Sequence, residues 1–390
     1  MPAPSISIIQ QNLNQGGNSD VERRPLFIGL NQENANDAAT VTDAGAVHTI
    51  GKTTDLDAIL GAADSNLKTQ IEAARANVGS TWTAYVVPLY SALGTGDIGV
   101  PFSDWDVALE LALGQPNNIK PELVALTDEV GTDDLEDMQL AADNAAATWA
   151  KLITIHAPVA GNDGSQTWAD YITATKAINA GVLFDRVHLV PQLHTTNLGA
   201  VIGRLTTETA SIADSPMRVK TGVVLGLQDA PLDADGVALE LDHIKELSEA
   251  RFSVPYWYPD LTGMYWCDHM SLDDLTGDYS VYENRRVVDY TARRIRPLMV
   301  GDVANRALNR SASSTAYHVQ KYSQPIKDAA KGKVIGGEPV AGLVQPPVDG
   351  DVVITWDSST EVVLAFTVAP KDSPKKLTGY ITLDLNRVEA

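Results

Sequence analysis

The sequence predicts a mixed α/β fold: an α/β body, a C-terminal α+β domain and an extended strand arm at each end. Three observations predict it. Apolar runs of strand length alternate with helix-period stretches over residues 25–250, the rhythm of a layered α/β protein with a partly parallel sheet. The last third changes character, to short aromatic strands, one long Arg-rich helical run and a hairpin. Near each terminus a short apolar alternation is set off from the rest by a polar stretch, which gives a strand on a flexible lead. The divisions that follow are an N-terminal arm (1–24), the body (25–250, with room for two subdomains), a C-terminal domain (251–376) and a C-terminal strand arm (377–390).

Taken in order, Ile6 and Ile8 form the first alternation, before the polar QQNLNQGGNSD. Pro25–Leu30 (PLFIGL) is a continuous apolar strand of the kind buried on both faces. Thr54 is placed to cap a helix whose apolar positions run from Leu56 to Val78, with Gly79 as its stop. Trp82–Leu89 reads as a strand, and Ser103 with Asp106 has capping-box spacing before Val107, Leu111 and Ala112. Glu122–Leu126 is a strand, followed by a helix from Asp133-Asp134 through Trp149. Leu152–Ile155 is a strand, then a helix opened by Ser165 and closed by Gly181, then a strand at Val187–Val190. A stripe of Leu198, Ile202 and Leu205 predicts a helix ended by Ser215-Pro216, Val223–Leu227 a strand, and Val237, Leu241 and Ile244 a further helix. Phe252–Cys267 reads as two aromatic strands around PDLTG. Tyr279–Leu308 is helical, interrupted near Pro297, and Asp351–Trp356 with Glu361–Val368 forms a hairpin across DSST. KDSPKK then leads to a last alternating strand, Thr378–Leu385.

Composition narrows the function. Of 390 residues, 44% are hydrophobic and 20% charged, so the chain buries a real core and is not disordered as a whole. A single cysteine, Cys267, excludes a disulfide framework. The N-terminus MPAPSISIIQQ lacks the charged and apolar regions of a signal peptide. No apolar run has the length of a membrane-spanning helix. These features predict a protein made and assembled in a reducing cytoplasm. The net charge of −21 argues against wrapping nucleic acid. Its distribution is uneven: Val281–Lys333 carries eleven basic against four acidic residues, a net +7 that leaves −28 on the rest. A molecule so polarised attracts copies of itself.

Motifs for catalysis are weak. Gly51-Lys52-Thr53 ends like a phosphate loop, but the required earlier glycine is Ala46, with Gly45 one place off. Cys267, His269 and His243 make no recognised metal spacing, and the expectation is a structural thiol, an exposed histidine and no metal site. Paired acids such as Asp133-Asp134 and Asp273-Asp274 serve helix starts. The aromatic block Tyr256, Trp257, Tyr258, Tyr265 and Trp266 fits a packed core edge better than a sugar-stacking surface. No catalytic residue and no cofactor is expected. The competing reading is an α/β enzyme or small-ligand binder with a loop-built site.

The basic helix and the two ends carry more. On Val281–Arg296 the positions Val288, Thr291, Ala292 and Ile295 take one face, and Arg285, Arg286, Asp289, Arg293 and Arg296 the other. Four arginines against one acid leave little pairing within the helix and predict a charged interface. The end strands carry Ile6 and Ile8, and Ile381, Leu383 and Leu385. A lone strand has unpaired backbone groups, so each folds back or joins another subunit's sheet. Leu377–Val388 spans about 40 Å when extended, enough to reach a neighbour.

With terminal strands flanking an α/β body, and the segment GMYWCDHMSLDD…YSVYENRRVVDYTARRIRPLM before a hairpin and last strand, the chain resembles the tail sheath proteins of contractile bacteriophage tails and related injection machines. The likeness is carried mostly by residues 250–390. It implies a structural protein of the virion tail, assembled in the host cytoplasm as a helical stack of rings. The implied partners are the tail tube, baseplate and tail terminator proteins, with no nucleic acid and no membrane insertion. Subunits exchange terminal strands, and contraction drives the tube through the host envelope for genome ejection. Arg285, Arg286, Arg293 and Arg296 would then face the tube or neighbouring subunits.

Overall fold

The computed structural model describes residues 21–31, 46–89 and 105–383. Ile6, Ile8, Ser103 and Leu385 lie outside the described residues. A six-stranded sheet organises the first two thirds, built from β1 (Pro25–Leu30), β2 (His48–Gly51), β3 (Thr83–Leu89), β4 (Leu123–Leu126), β5 (Thr154–Val159) and β6 (Val187–Pro191). Its spatial order is β2-β3-β1-β4-β5-β6. Only β2 is antiparallel to its neighbour; the other pairs are parallel. Parallel strands need crossovers, and the helices that make them cover both faces.

The alternation of side chains sorts the core. Leu26, Ile28, Val124 and Leu126 point into one apolar cluster, Phe27, Leu123 and Ala125 into the other. The first cluster lies under α3 (Trp105–Leu113), α4 (Asp134–Trp149), α5 (Trp168–Ile178) and α7 (Leu241–Glu249). The second lies under α2 (Asn66–Ala76) and α6 (Asn197–Thr206).

Helices α2 and α6 pack closely because Gly199 and Gly203 place bare backbone at the contact. A Cβ on Gly199 would run into the Gln70 carbonyl, and one on Gly203 into the backbone of Ala74. Gln70 seals the contact: its Oε1 accepts from the Gly199 amide at 2.8 Å and its amide nitrogen donates to the Thr195 carbonyl at 2.7 Å.

Several expectations are corrected. The helix expected from Thr54 to Val78 is broken: α1 (Asp57–Leu60) ends at Gly61, and α2 restarts with Ser65 as its cap. Thr54 instead accepts a hydrogen bond from the Gly51 amide through its hydroxyl. Val223–Leu227 forms one isolated bridge, Val224 to Met264, rather than a strand. The aromatic strands shrink to a two-residue pair, β7 (Pro255–Tyr256) and β8 (Tyr265–Trp266).

The last third docks along the β6 side. The Ser253 amide donates to the Leu189 carbonyl and the Phe184 amide to the Leu272 carbonyl. The long helix α8 (Tyr282–Gly301) continues through Pro297 instead of stopping there. A proline costs a helix one hydrogen bond, and packing of the first three turns holds the helix regardless. With α9 (Ala312–Ala329), α8 makes a third core that includes Val287, Tyr290, Ile295, Tyr322, Ile326 and Val344. Two hairpins complete the region, β9 (Lys333–Ile335) with β10 (Glu338–Val340), and β11 (Val352–Trp356) with β12 (Val362–Phe366).

Gly203→Ala should destabilise the protein by about 1–3 kcal/mol in urea titration, since the added methyl forces α2 and α6 apart. Gly301→Ala, where an added Cβ meets nothing within 4 Å, should cost nothing measurable. Equal losses at both positions would show that the helix contact is not tight.

Candidate assembly surfaces

Helix α8 crosses the amino-terminal ends of the parallel strands, and its arginines meet the residues that precede β1, β4, β5 and β6. Glu122 stands just before β4 and receives Arg286 in a fork, Nε to Oε1 at 2.7 Å and Nη2 to Oε2 at 2.8 Å. The third nitrogen of Arg286 donates to the Leu205 carbonyl, and the Arg23 amide, just before β1, donates to Glu122 Oε2 at 2.6 Å. Before β6, Asp185 pairs with Arg285, and Arg186 forks onto Asp289 of the helix at 3.0 and 3.3 Å. Arg186 also donates to the Ile153 carbonyl, before β5, at 2.9 Å. Glu22, before β1, receives both Arg293 and Arg294.

This corrects the interface expected for Arg285 and Arg286. Both are buried, and their partners are carboxylates of the same chain. Of the set placed on the opposite face, Thr291 and Ile295 are buried and Val288 and Ala292 half-buried. The structure does not keep the two sets on opposite sides of the surface, since Arg285, Arg286 and Asp289 are buried along with Thr291 and Ile295; the carboxylates that draw the arginines inward lie more than 90 residues away in sequence. Arg293 is also mostly covered, donating to the Leu152 carbonyl at 3.2 Å as well as to Glu22. Arg296 alone of the four is exposed. It borders a cleft of about 200 Å³ with Lys120, Lys151, Trp149 and Pro297. Burial, with the charge of Lys120 adding to it, pulls the Lys151 ammonium down to about 8.

Burial by itself would push the Glu122 carboxyl up. The Arg286 charge and its hydrogen bonds overcome this and hold it below the ordinary 4.5. A carboxyl with a depressed folded pKa contributes stability that is present above its unfolded value and lost as pH falls through the folded one. Arg286→Ala strands a buried carboxylate and should cost about 3–5 kcal/mol at neutral pH. Glu122→Gln should lower stability at pH 7 and flatten its fall between neutral pH and acid. Denaturant titrations across pH check both; an Arg286→Ala protein as stable as the parent would remove the pair from its central place.

The other candidate surface is the C-terminal segment. After β12, the Gln345 amide donates to the Ala369 carbonyl and the Lys371 amide to the Leu343 carbonyl. Lys375 then reaches between Asp268 at 2.5 Å and Glu283 at 2.7 Å. The expected strand does not form: Thr378–Leu383 has no ladder partner among the described residues. Its apolar side chains lie open, Tyr380 92%, Ile381 100% and Leu383 77% exposed. The β11–β12 hairpin is a separate two-stranded sheet, and its Val353 and Val363 are exposed as well.

Sequence reasoning missed a buried cluster. His156 on β5, His188 on β6 and His269 after β8 converge, with Tyr282 edge-on to all three rings. One consistent set of donors links Trp266 Nε1 to Ser253 Oγ, Ser253 to His269 Nδ1, His269 Nε2 to His156 Nδ1, His156 Nε2 to Thr154 Oγ1, and Thr154 to the Tyr282 hydroxyl. Burial keeps the His156 and His269 rings neutral and pushes His188 down to about 3. Cys267 and His243 take no part: Cys267 lies in the apolar core and His243 caps α7 and stacks on Trp168. The sequence signal was two histidines, each inside a strand of otherwise apolar residues.

Comparison with known proteins fits this geometry. Family models for the DUF2586 N-terminal and C-terminal domains match residues 3–270 and 278–386. A protein of Haemophilus phage HP1 named "Putative tail sheath protein" is 35% identical over 392 residues, covering 98% of each chain. The fold is shared with a chain of the anti-feeding prophage baseplate in its contracted state, at a TM-score of 0.60 with 12% identity, covering 99% of this chain and 100% of that one. It is shared too with the sheath tail protein of Listeria innocua, at 0.53 with 12% identity, covering 90% and 93%. The chain therefore belongs to the DUF2586 family, and its mixed α/β architecture is that of a contractile-tail sheath protein.

Proposed function

We propose that this chain is the structural subunit of a phage tail sheath, that it polymerises around the tail tube through exchanged terminal strands, and that contraction of the polymer drives the tube through the host envelope. The observation that carries the reading is the C-terminal segment. Beyond the Lys375 tether, apolar residues at strand spacing lie open to solvent, and among the described residues the β11–β12 hairpin forms a sheet of only two strands. A two-stranded hairpin is marginal alone, and a strand from a neighbour gives both partners the backbone bonds they lack. The N-terminal arm, with Ile6 and Ile8, is assigned the same role at the other end, and Leu385 continues the C-terminal alternation. The phage HP1 relative supports the sheath assignment through its name and near full-length match.

Electrostatic contact with tube or neighbour falls, in this reading, to Arg296 and the lysines beside it, since Arg285, Arg286 and Arg293 already hold partners within the chain. Contraction runs downhill from a metastable assembly, with each subunit's fold preserved.

Deleting residues 378–390 should leave a folded, soluble subunit that forms no tubes by electron microscopy. Long tubes from the truncated protein would end the strand-exchange reading. Arg296→Glu should weaken assembly and its salt dependence without moving the unfolding curve, because an exposed contact is worth only about 0–1 kcal/mol per subunit. Normal assembly of that variant would take Arg296 out of the interface.

A further inference from the structure

We propose that His156, His188 and His269 form a binding site for one divalent transition-metal ion, of the borderline class that zinc represents. One ring nitrogen from each lies within 4.8 Å of the others, and all three side chains are fully buried. The outward nitrogens are occupied: His188 Nδ1 by the Met270 carbonyl at 2.9 Å, His156 Nε2 by Thr154 Oγ1 at 2.9 Å, and His269 Nδ1 by Ser253 Oγ at 2.5 Å. Metal-bound imidazoles are held in this way, the second ring nitrogen fixed by an oxygen. The inward nitrogens left are His156 Nδ1, His188 Nε2 and His269 Nε2.

Two facts point to a ligand rather than to a closed hydrogen-bond network. His188 Nδ1 faces a carbonyl and therefore carries the proton, so Nε2 presents a lone pair. That nitrogen is buried and has no hydrogen-bond partner among the described residues, an arrangement that costs stability unless a ligand fills it. The other two inward nitrogens are 2.9 Å apart. On a tetrahedral zinc with Zn–N of about 2.0–2.1 Å, two such nitrogens stand about 3.3 Å apart, so the ion enters as the pair moves apart and the three rings, now within 8–13° of parallel, turn toward it. The proton balance closes within the site. In the hydrogen-bonded form His269 donates from Nε2; moving that proton to Nδ1, with Ser253 Oγ accepting, frees the third lone pair and releases nothing. Three neutral imidazoles suit zinc and its neighbours in the series better than magnesium or calcium, which prefer oxygen. The ion would tie β5, β6 and the segment after β8 together, fastening the last third of the chain to the sheet.

The test uses the full chain without a histidine tag, purified, stripped with chelator, loaded with zinc chloride and freed of excess metal. Elemental analysis should find about one zinc per chain, and loading should raise the melting temperature. His188→Leu should abolish the bound zinc and the shift. Cobalt(II) in place of zinc should bind the parent with the visible absorption of a nitrogen-ligated, low-coordinate ion, which decides the matter if His188→Leu does not fold. The proposal is overturned if the parent retains no zinc and does not shift, or if zinc binding survives in His188→Leu. It is equally overturned if cobalt bound to the parent shows only the spectrum of the hydrated ion.

Discussion

The Arg286–Glu122 ion pair is the constraint on which the rest of the molecule depends. It joins the first turns of α8 to the start of a central strand, across 164 residues of sequence. Both partners are buried, and removing two such charges from water costs several kcal/mol for each ion. The site recovers that cost because each nitrogen of the guanidinium and each oxygen of the carboxylate has a partner: the fork itself, the Leu205 carbonyl and the Arg23 amide. One interaction thus fixes β1, β4, α6 and α8 relative to one another. Arg186–Asp289, Arg285–Asp185 and the Glu22 pairs repeat the device along the same sheet end. An apolar seam would tolerate sliding of the helix; paired charges in fixed forks do not.

That rigidity suits the proposed role. A sheath subunit transmits a shape change to its neighbours only if it does not deform itself. The body meets this requirement through two apolar layers on one sheet and the charged seam beneath it. Among the described residues, the apolar side chains beyond Lys375, which is anchored to Asp268 and Glu283, lie without cover. In the proposed reading, the molecule divides into a rigid body and a C-terminal segment whose contacts come from a neighbouring subunit.

How much of this was legible depended on how local the cause was. The β1 run PLFIGL, the helix over 134–149 and the hairpin near 351–368 were readable because periodicity and turn residues act within a few positions. The break at Gly61 was not, because Leu56 to Val78 keeps a helical period on both sides of it. The strand at 154–159 extends beyond its expected end because parallel pairing with β6 carries it through His156 and Pro158. The terminal strand, read from its alternation, lacks a ladder among the described residues, since alternation states a capacity for pairing and not the presence of a partner.

By itself the sequence determined the mixed α/β class, the two-sided burial of the parallel strands and the presence of an apolar segment after KDSPKK. Those follow from side-chain period and from which residues water excludes. Only the tertiary structure decided where the arginines of α8 point and that three histidines meet. Helical spacing defines two faces but not whether one or both are covered. That choice belongs to carboxylates placed by other strands, and the meeting of His156, His188 and His269 to a sheet register that pairs the first two side by side. Charge alone predicts a solvated helix face; charge with a buried, geometrically matched counter-ion produces a seam.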